Sequence, residues 1–218
     1  MILILNFKNY PESTGIHAMN LSKVAHDFAS YHPDIHVIIC PQTVDLELIL
    51  EKNNPLPNFQ IWAQHVDFQM GEKNTGYLTA ETLLQIGVTG SLLNHAEHKV
   101  EDIKKYTEID DKLDLCLCVS DLVESKIKMM YSPDFSPKYI AYEPPNLIGG
   151  NISVSQSNGH DIEQIVDFFP KNSILVGAGV KTGKDVKKSI GLGAKGVLIA
   201  SGFVFASSPM EFLEMLIS

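Results

Sequence analysis

The chain is short of basic residues and of cysteine, and nowhere does it hold a long apolar run. Only 17 Lys and Arg stand against 26 Asp and Glu, a formal charge of −9. Such a surface repels phosphate backbones and anionic lipid, which argues against nucleic acid and membrane as partners. Any anionic ligand must then be held by groups placed locally. The opening MILILNFKNY contains a five-residue apolar run with no basic segment before it. That is too short for a secretion signal or a bilayer span, so the expected location is cytoplasmic. Cys40, Cys116 and Cys118 lie in apolar, strand-like runs without CxxC spacing or a paired histidine pattern. This predicts buried free thiols and no metal site; Cys116 and Cys118 share a strand face, but two soft ligands do not complete one. Low-complexity tracts, Pro/Gly/Ser linkers and internal repeats are also missing.

What the chain does have is a core and a rhythm. Of its 218 residues 44% are hydrophobic and 20% charged, the composition of a globular protein, and the length fits one domain over residues 1–218. Eight short apolar runs recur, at 2–5, 36–40, 60–64, 91–94, 113–119, 139–143, 173–177 and 196–200. Amphipathic stretches separate them, near 16–30, 43–52, 79–87, 99–111, 120–131, 159–168, 182–191 and 209–217, with apolar residues at helical spacing such as Leu21, Val24, Ala25 and Phe28. Runs without polar alternation suit parallel strands covered on both faces by helices. Eight βα units predict a compact α/β protein, a closed (β/α)8 barrel with short loops and no second domain; such barrels take roughly 250 residues. A doubly wound open sheet is the rival, since pattern does not report closure.

In such a barrel the reacting groups stand at the carboxyl ends of the strands. The first strand is followed by Asn6, Phe7 and Lys8, the fourth by Asn94, His95, Ala96 and Glu97, and the sixth ends on Glu143. The seventh gives way to Gly177, Ala178 and Gly179, the eighth to Ala200, Ser201 and Gly202. In AYEPPNLIGG, residues 141–150, Pro144 and Pro145 restrain the backbone behind Glu143, whereas Gly149 and Gly150 loosen it. Taken singly, each feature has a plain structural reading. Glu143 alone is a solvated strand end and Lys8 a surface lysine. Asn94 and Glu97 have the spacing of a capping box with His95 as the first helical residue, and GAGVKTG is a turn leading to a cap at Thr182.

Together and in this order, NFK at 6–8, AQHVD at 63–67, TG at 75–76, NHAE at 94–97, EPPNLIG at 143–149, GAG at 177–179 and GVLIASG at 196–202 resemble triosephosphate isomerase, most closely its short archaeal form. The resemblance runs the whole length and implies the TIM barrel. It also implies interconversion of dihydroxyacetone phosphate and D-glyceraldehyde 3-phosphate through an enediol, in glycolysis and gluconeogenesis, with no metal and no cofactor. On its pattern Glu143 is the general base, since a carboxylate kept from water is a better proton acceptor. His95 is the hydrogen-bond donor to the carbonyl oxygen, and a helix start there would favour the neutral imidazole, as described for this family. Lys8 supplies fixed positive charge, Asn6 orients it or the ligand, and Glu97 pairs with it. Residues 146–150 form the tip of a lid, with Leu147 and Ile148 as apolar cover. Backbone N–H groups at Gly149, Gly179, Ala200, Ser201 and Gly202 would take the phosphate.

Thr75 belongs to the family's third loop, which buttresses the site of a partner subunit, so a homo-oligomer is implied. A dimer is favoured over a tetramer, because KVEDIKKYTEIDDKLD at 99–114 is too densely charged for a second apolar interface. Two departures stand out: Ala96 replaces the family's usual serine, and Gly150-Asn151 replaces the usual Thr-Gly of the archaeal lid. The alternatives are a Schiff-base phosphosugar aldolase using Lys138 or Lys181, and a non-catalytic phosphosugar-binding barrel.

Overall fold

The computed structural model describes residues 1–130, 134–148, 150 and 153–218. Among these residues lie eight strands: β1 (Ile2–Asn6), β2 (His36–Cys40), β3 (Phe59–Ile61), β4 (Gly90–Leu93), β5 (Asp114–Val119), β6 (Tyr139–Tyr142), β7 (Ser173–Val176) and β8 (Gly196–Ile199). The helices are α1 (Ile16–Tyr31), α2 (Leu46–Lys52), α3 (Ala80–Ile86), α4 (Thr107–Asp110), α5 (Leu122–Met130), α6 (Val154–Ser157), α7 (Gly159–Phe168), α8 (Gly183–Gly191), α9 (Ser201–Val204) and α10 (Pro209–Ile217).

The strands follow the order 3-2-1-8-7-6-5-4, with every ladder parallel. The remaining seam, between β3 and β4, is bridged by one residue beyond the short third strand. The Ala63 N–H donates to the Gly90 carbonyl and the Leu92 N–H donates to the Ala63 carbonyl, both at 2.9 Å. That bridge decides between the two expected architectures: the sheet curls into a nearly closed (β/α)8 barrel, the TIM barrel.

Alternation along each strand sorts the core into two layers. Ile4, Ile38, Trp62, Leu92, Cys116, Tyr139, Leu175 and Leu198 fill the barrel interior, while Leu3, Leu5, Val37, Ile39, Leu117, Ile140, Val176 and Val197 face the helices. Both faces are therefore apolar, which is why the strands read as unbroken hydrophobic runs. Inside, the Trp62 ring stacks on Tyr139 with centroids 5.6 Å apart, in space that only glycine leaves free: a Cβ on Gly90 would stand 2.3 Å from the indole. Ala18, Leu21, Ala25 and Phe28 turn one face of α1 inward; each large apolar side chain so buried contributes about 1.5–3 kcal/mol.

Several expectations need correction. The third strand covers 59–61 rather than 60–64. The helix expected over 99–111 is a 3-10 turn, Ile103–Tyr106, followed by the single turn α4. Charged residues dominate that stretch, leaving too few apolar contacts to hold a long helix against the barrel. Short helices α6 and α9 were not expected. The cap expected at Thr182 is present: its side chain accepts from the Asp185 N–H while Asp185 reaches back to the Thr182 N–H, a complete capping box for α8. All three cysteines are buried and free, as their context predicts, and Cys116 and Cys118 share the interior face. No helix among the described residues is long and apolar enough to cross a membrane.

Candidate active site

The mouth at the carboxyl ends of the strands gathers side chains from β1, β4 and β6. Lys8 follows β1 in a left-handed conformation, φ +51°, unusual for a side chain with a Cβ. Two bonds hold it there. Asn6 Oδ1 accepts from the Lys8 N–H at 3.0 Å, and Gln64 Nε2 donates to the Lys8 carbonyl at 3.1 Å. The Lys8 Nζ donates to Glu97 Oε1 at 2.8 Å. With its side chain 10% exposed, the ammonium is well shielded, whereas the Glu97 side chain is 61% exposed. Glu97 thus satisfies the ammonium from the solvent side.

After β4 the chain turns at Asn94, again left-handed at φ +59° and fully buried. Its amide nitrogen donates to the Cys118 carbonyl at 2.7 Å and to Glu124 Oε1 at 3.0 Å, and its Oδ1 accepts from the Val100 N–H at 3.1 Å. Burial alone would raise the Glu124 carboxyl; bonds from Lys99, Ser120 and Asn94 outweigh it and hold the group at about 2. Asn94 is therefore a brace tying the turn to β5 and α5. No helix starts at His95, contrary to the expected capping box, because the bond from Val100 back to Asn94 closes a wide non-helical turn.

The turn instead bears on the tautomer of His95. The Glu97 backbone N–H donates to His95 Nδ1 at 3.1 Å. A backbone N–H can only donate, so Nδ1 is the acceptor and the ring proton of the neutral form sits on Nε2. Nε2 is buried without a hydrogen-bond partner and lies 3.8 Å from Glu143 Oε2, itself buried and unpaired. Unpaired buried polar atoms carry a desolvation cost that a ligand can relieve. Here two of them, one a donor and one an acceptor, lie side by side.

Glu143 directly follows β6 and is 5% exposed. Its backbone N–H donates to the Val119 carbonyl at 2.8 Å, fixing the residue to β5. Behind its side chain stands Gly177, where a Cβ would be 2.4 Å from Glu143 Cγ and 2.5 Å from Oε1. Pro144 and the 3-10 turn Pro145–Leu147 follow at once. Cys118 lies beneath: the Cys116 side chain, burial and the Glu143 carboxylate hold its thiol well above the ordinary range, so it stays protonated.

A cavity of about 260 Å³ opens between these groups, lined by Lys8, Glu97, Glu143 and Ile148 on one side and by Gly179, Ala200, Ser201 and Gly202 on the other. Ala178 and Gly179 are both left-handed, at φ +66° and +69°. A second cavity, about 370 Å³, shares Lys8 and Glu97 and adds Asn6, Gln64, His65, His95 and His98. Of the residues singled out in the sequence, Asn6, Lys8, His95, Glu97, Glu143, Ile148, Gly179, Ala200, Ser201 and Gly202 all line one of these two adjoining cavities. Gly149 lies outside the described residues. Thr75 does not join them; it is exposed on the loop between β3 and α3. That loop is pinned at its base, where Asp67 and Leu78 exchange bonds of 2.8 and 2.7 Å.

The sequence reading named Gly177 without the room it leaves for Glu143, and missed the Asn94–Glu124 brace and Asp185. The Asp185 carboxylate accepts from Ser153 Oγ at 2.7 Å, Gln156 Nε2 at 2.6 Å and the Thr182 N–H at 3.0 Å. It joins α6 to the turn after β7. The capping spacing Thr182-Asp185 was the signal that could have drawn attention to it. Among the described residues no cluster of three or more His, Cys, Asp or Glu could hold a metal ion.

A family model described as triosephosphate isomerase matches residues 1–217. A triosephosphate isomerase of Methanobrevibacter smithii is 38% identical over 225 residues, covering 100% of this chain and 97% of the relative. Those of Methanothermus fervidus and Methanocaldococcus jannaschii are each 36% identical across 100% of this chain, covering 97% and 99% of their own lengths.

Proposed function

Because this chain belongs to the triosephosphate isomerase family, and is an intramolecular isomerase of triose phosphates, we propose that Glu143, His95 and Lys8 carry the interconversion at the barrel mouth. Glu143 takes a proton from the carbon beside the substrate carbonyl. The electron pair of that C–H bond forms the carbon–carbon double bond of the enediol, and the carbonyl π pair moves onto oxygen. Charge on that oxygen is met by the Nε2–H of a neutral His95 and by the Lys8 ammonium. The hydroxyl proton on the neighbouring oxygen passes to this one by way of His95 Nε2, and return of the carbon-derived proton from Glu143 to the adjacent carbon, as the second oxygen becomes the new carbonyl, completes the isomerisation with protons and electrons in balance. Backbone groups at Gly179, Ala200, Ser201 and Gly202, with Gly149 beside them, hold the phosphate, and Ile148 covers it.

The observation that carries this reading is the pair of unpartnered atoms, His95 Nε2 and Glu143 Oε2, 3.8 Å apart beside the Lys8–Glu97 ion pair. One donates, one accepts, and neither has another occupation. A Schiff-base aldolase needs a lysine projecting into the mouth from a late strand, yet Lys138 pairs with Asp114 at the opposite end of the barrel, and Lys181, which lines the first cavity, stands past β7 on the turn before α8. The protein acts in glycolysis and gluconeogenesis in the cytoplasm, without metal or organic cofactor. It works as a homodimer in which the loop bearing Thr75 seats against the partner near its second cavity. That loop carries Phe68, Met70 and Tyr77 at 37–50% exposure, apolar area suited to a partner.

A coupled assay on purified protein tests the chemical roles. Glu143→Ala should lose about 10²–10⁴ in kcat or more while keeping its fold. Near-normal turnover by that variant would refute the assignment and favour a barrel that binds phosphosugars without converting them.

A further inference from the structure

One buried carboxylate serves neither the proton transfer nor the cavity walls. Asp185, the third residue of α8, is 4% exposed and lines neither cavity of the mouth. Its Oδ2 accepts from the Lys181 N–H at 3.2 Å and from the Thr182 N–H at 3.0 Å, on the turn whose residues 178–181 line the first cavity. Its Oδ1 accepts from Ser153 Oγ at 2.7 Å and from Gln156 Nε2 at 2.6 Å, at the start of α6. We infer that Asp185 is a positioning residue for the substrate phosphate: it fastens the turn after β7 so that the Gly179 N–H stands where the phosphate binds.

That turn needs fastening at both ends. Ala178 and Gly179 are left-handed, and for alanine such a conformation persists only where its neighbours over-determine it. At the near end the Val154 N–H donates to the Ala178 carbonyl at 3.3 Å; at the far end Asp185 takes the N–H groups of residues 181 and 182. Ser153 and Gln156 stand on either side of Val154, so both ends lead to one segment, and Asp185 closes the ring of bonds around Gly179. Asp185 is itself a fixed post. Ser189 Oγ donates to its carbonyl at 2.8 Å. Gly183, two residues before it, lies so close to the end of α10 that a Cβ there would stand 2.7 Å from the Met215 carbonyl oxygen.

Each of these partners of the carboxylate donates, which suits an anion with no proton to give. Burial alone would raise the Asp185 carboxyl; bonds from Ser153, Thr182 and Gln156 outweigh it and hold the group below its ordinary value. The two sides differ in one respect. Backbone N–H groups can only donate, whereas the Ser153 hydroxyl and the Gln156 amide can turn round and accept. An asparagine therefore fits the same place, with its oxygen to the turn and its NH2 to α6. A glutamate does not: at the third position of a helix it completes a capping box as aspartate does, but its extra methylene displaces the carboxylate from the turn within a buried site.

This inference rests on the proposed placement of phosphate at Gly179, and the test separates the two. The readouts are KM for triose phosphate and the competitive inhibition constant of inorganic phosphate, measured well below the thermal midpoint of each variant. Asp185→Glu, which keeps the helix cap, should raise both by at least about ten-fold. Asp185→Asn, which gives up the charge but keeps the place, should rescue most of that loss. A residue that only caps α8 would leave Asp185→Glu indistinguishable from the unmodified protein. That result, or Asp185→Asn as impaired as Asp185→Glu, overturns the role of Asp185 alone. Inorganic phosphate that fails to compete with triose phosphate in the unmodified protein overturns the site reading beneath, and this inference with it. Should Asp185→Glu fail to fold, amide hydrogen exchange on the unmodified protein decides. The Lys181 and Thr182 N–H groups should be protected before any phosphate is added, and exchange at the rate of an open loop overturns the proposal.

Discussion

At the scale of single residues, the site is shaped by what is omitted as much as by what reacts. Gly177 has ordinary backbone angles, so its lack of a side chain serves only the space taken by Glu143. A methyl group there meets the end of a flexible side chain, which can move aside at little cost to the fold. Gly177→Ala should therefore lower kcat at least about ten-fold while shifting the thermal midpoint by only a few degrees. Unchanged kcat would mean that the glutamate does not react from this position.

At the scale of elements, the loops after β1 and β4 hold residues in conformations their side chains disfavour, and each is secured by an amide side chain. Asn6 and Gln64 hold Lys8, while Asn94 holds the His95 turn. Strained positions so over-determined are characteristic of functional sites. The residues proposed to react were singled out because NFK, NHAE and EPP follow recognisable strands in the right order. The tautomer of His95 was not, since it depends on a backbone bond across a turn that the Asn94-Glu97 spacing suggested was a helix. The loop between β3 and α3 is pinned at Asp67 and Leu78 and presents Phe68, Met70 and Tyr77 to solvent. Sedimentation at low protein concentration should show a dimer built on this loop, converted to monomer by Tyr77→Lys with Phe68→Lys. A tetramer, or a dimer indifferent to both substitutions, contradicts it.

At the scale of the whole molecule, closure of the sheet is what brings Lys8, His95 and Glu143 together. Eight apolar runs foretold eight strands, but only the bridge at Ala63, beyond a strand of three residues, distinguishes a barrel from an open sheet. Such a bond is invisible to periodicity because it lies in two hydrogen bonds, not in a pattern of side chains. With the seam closed, residues 8, 95 and 143 face one mouth on a chain whose net charge of −9 would otherwise repel a phosphorylated substrate. The most direct measurement is a crystal structure with a phosphate-bearing analogue of the enediol. One ligand oxygen should lie within about 2.6–3.2 Å of His95 Nε2, with Glu143 at similar reach of the adjacent reacting position and the phosphate among Gly179 and Ala200–Gly202. A ligand bound in the mouth with the imidazole and the carboxylate turned to separate pockets would contradict the account.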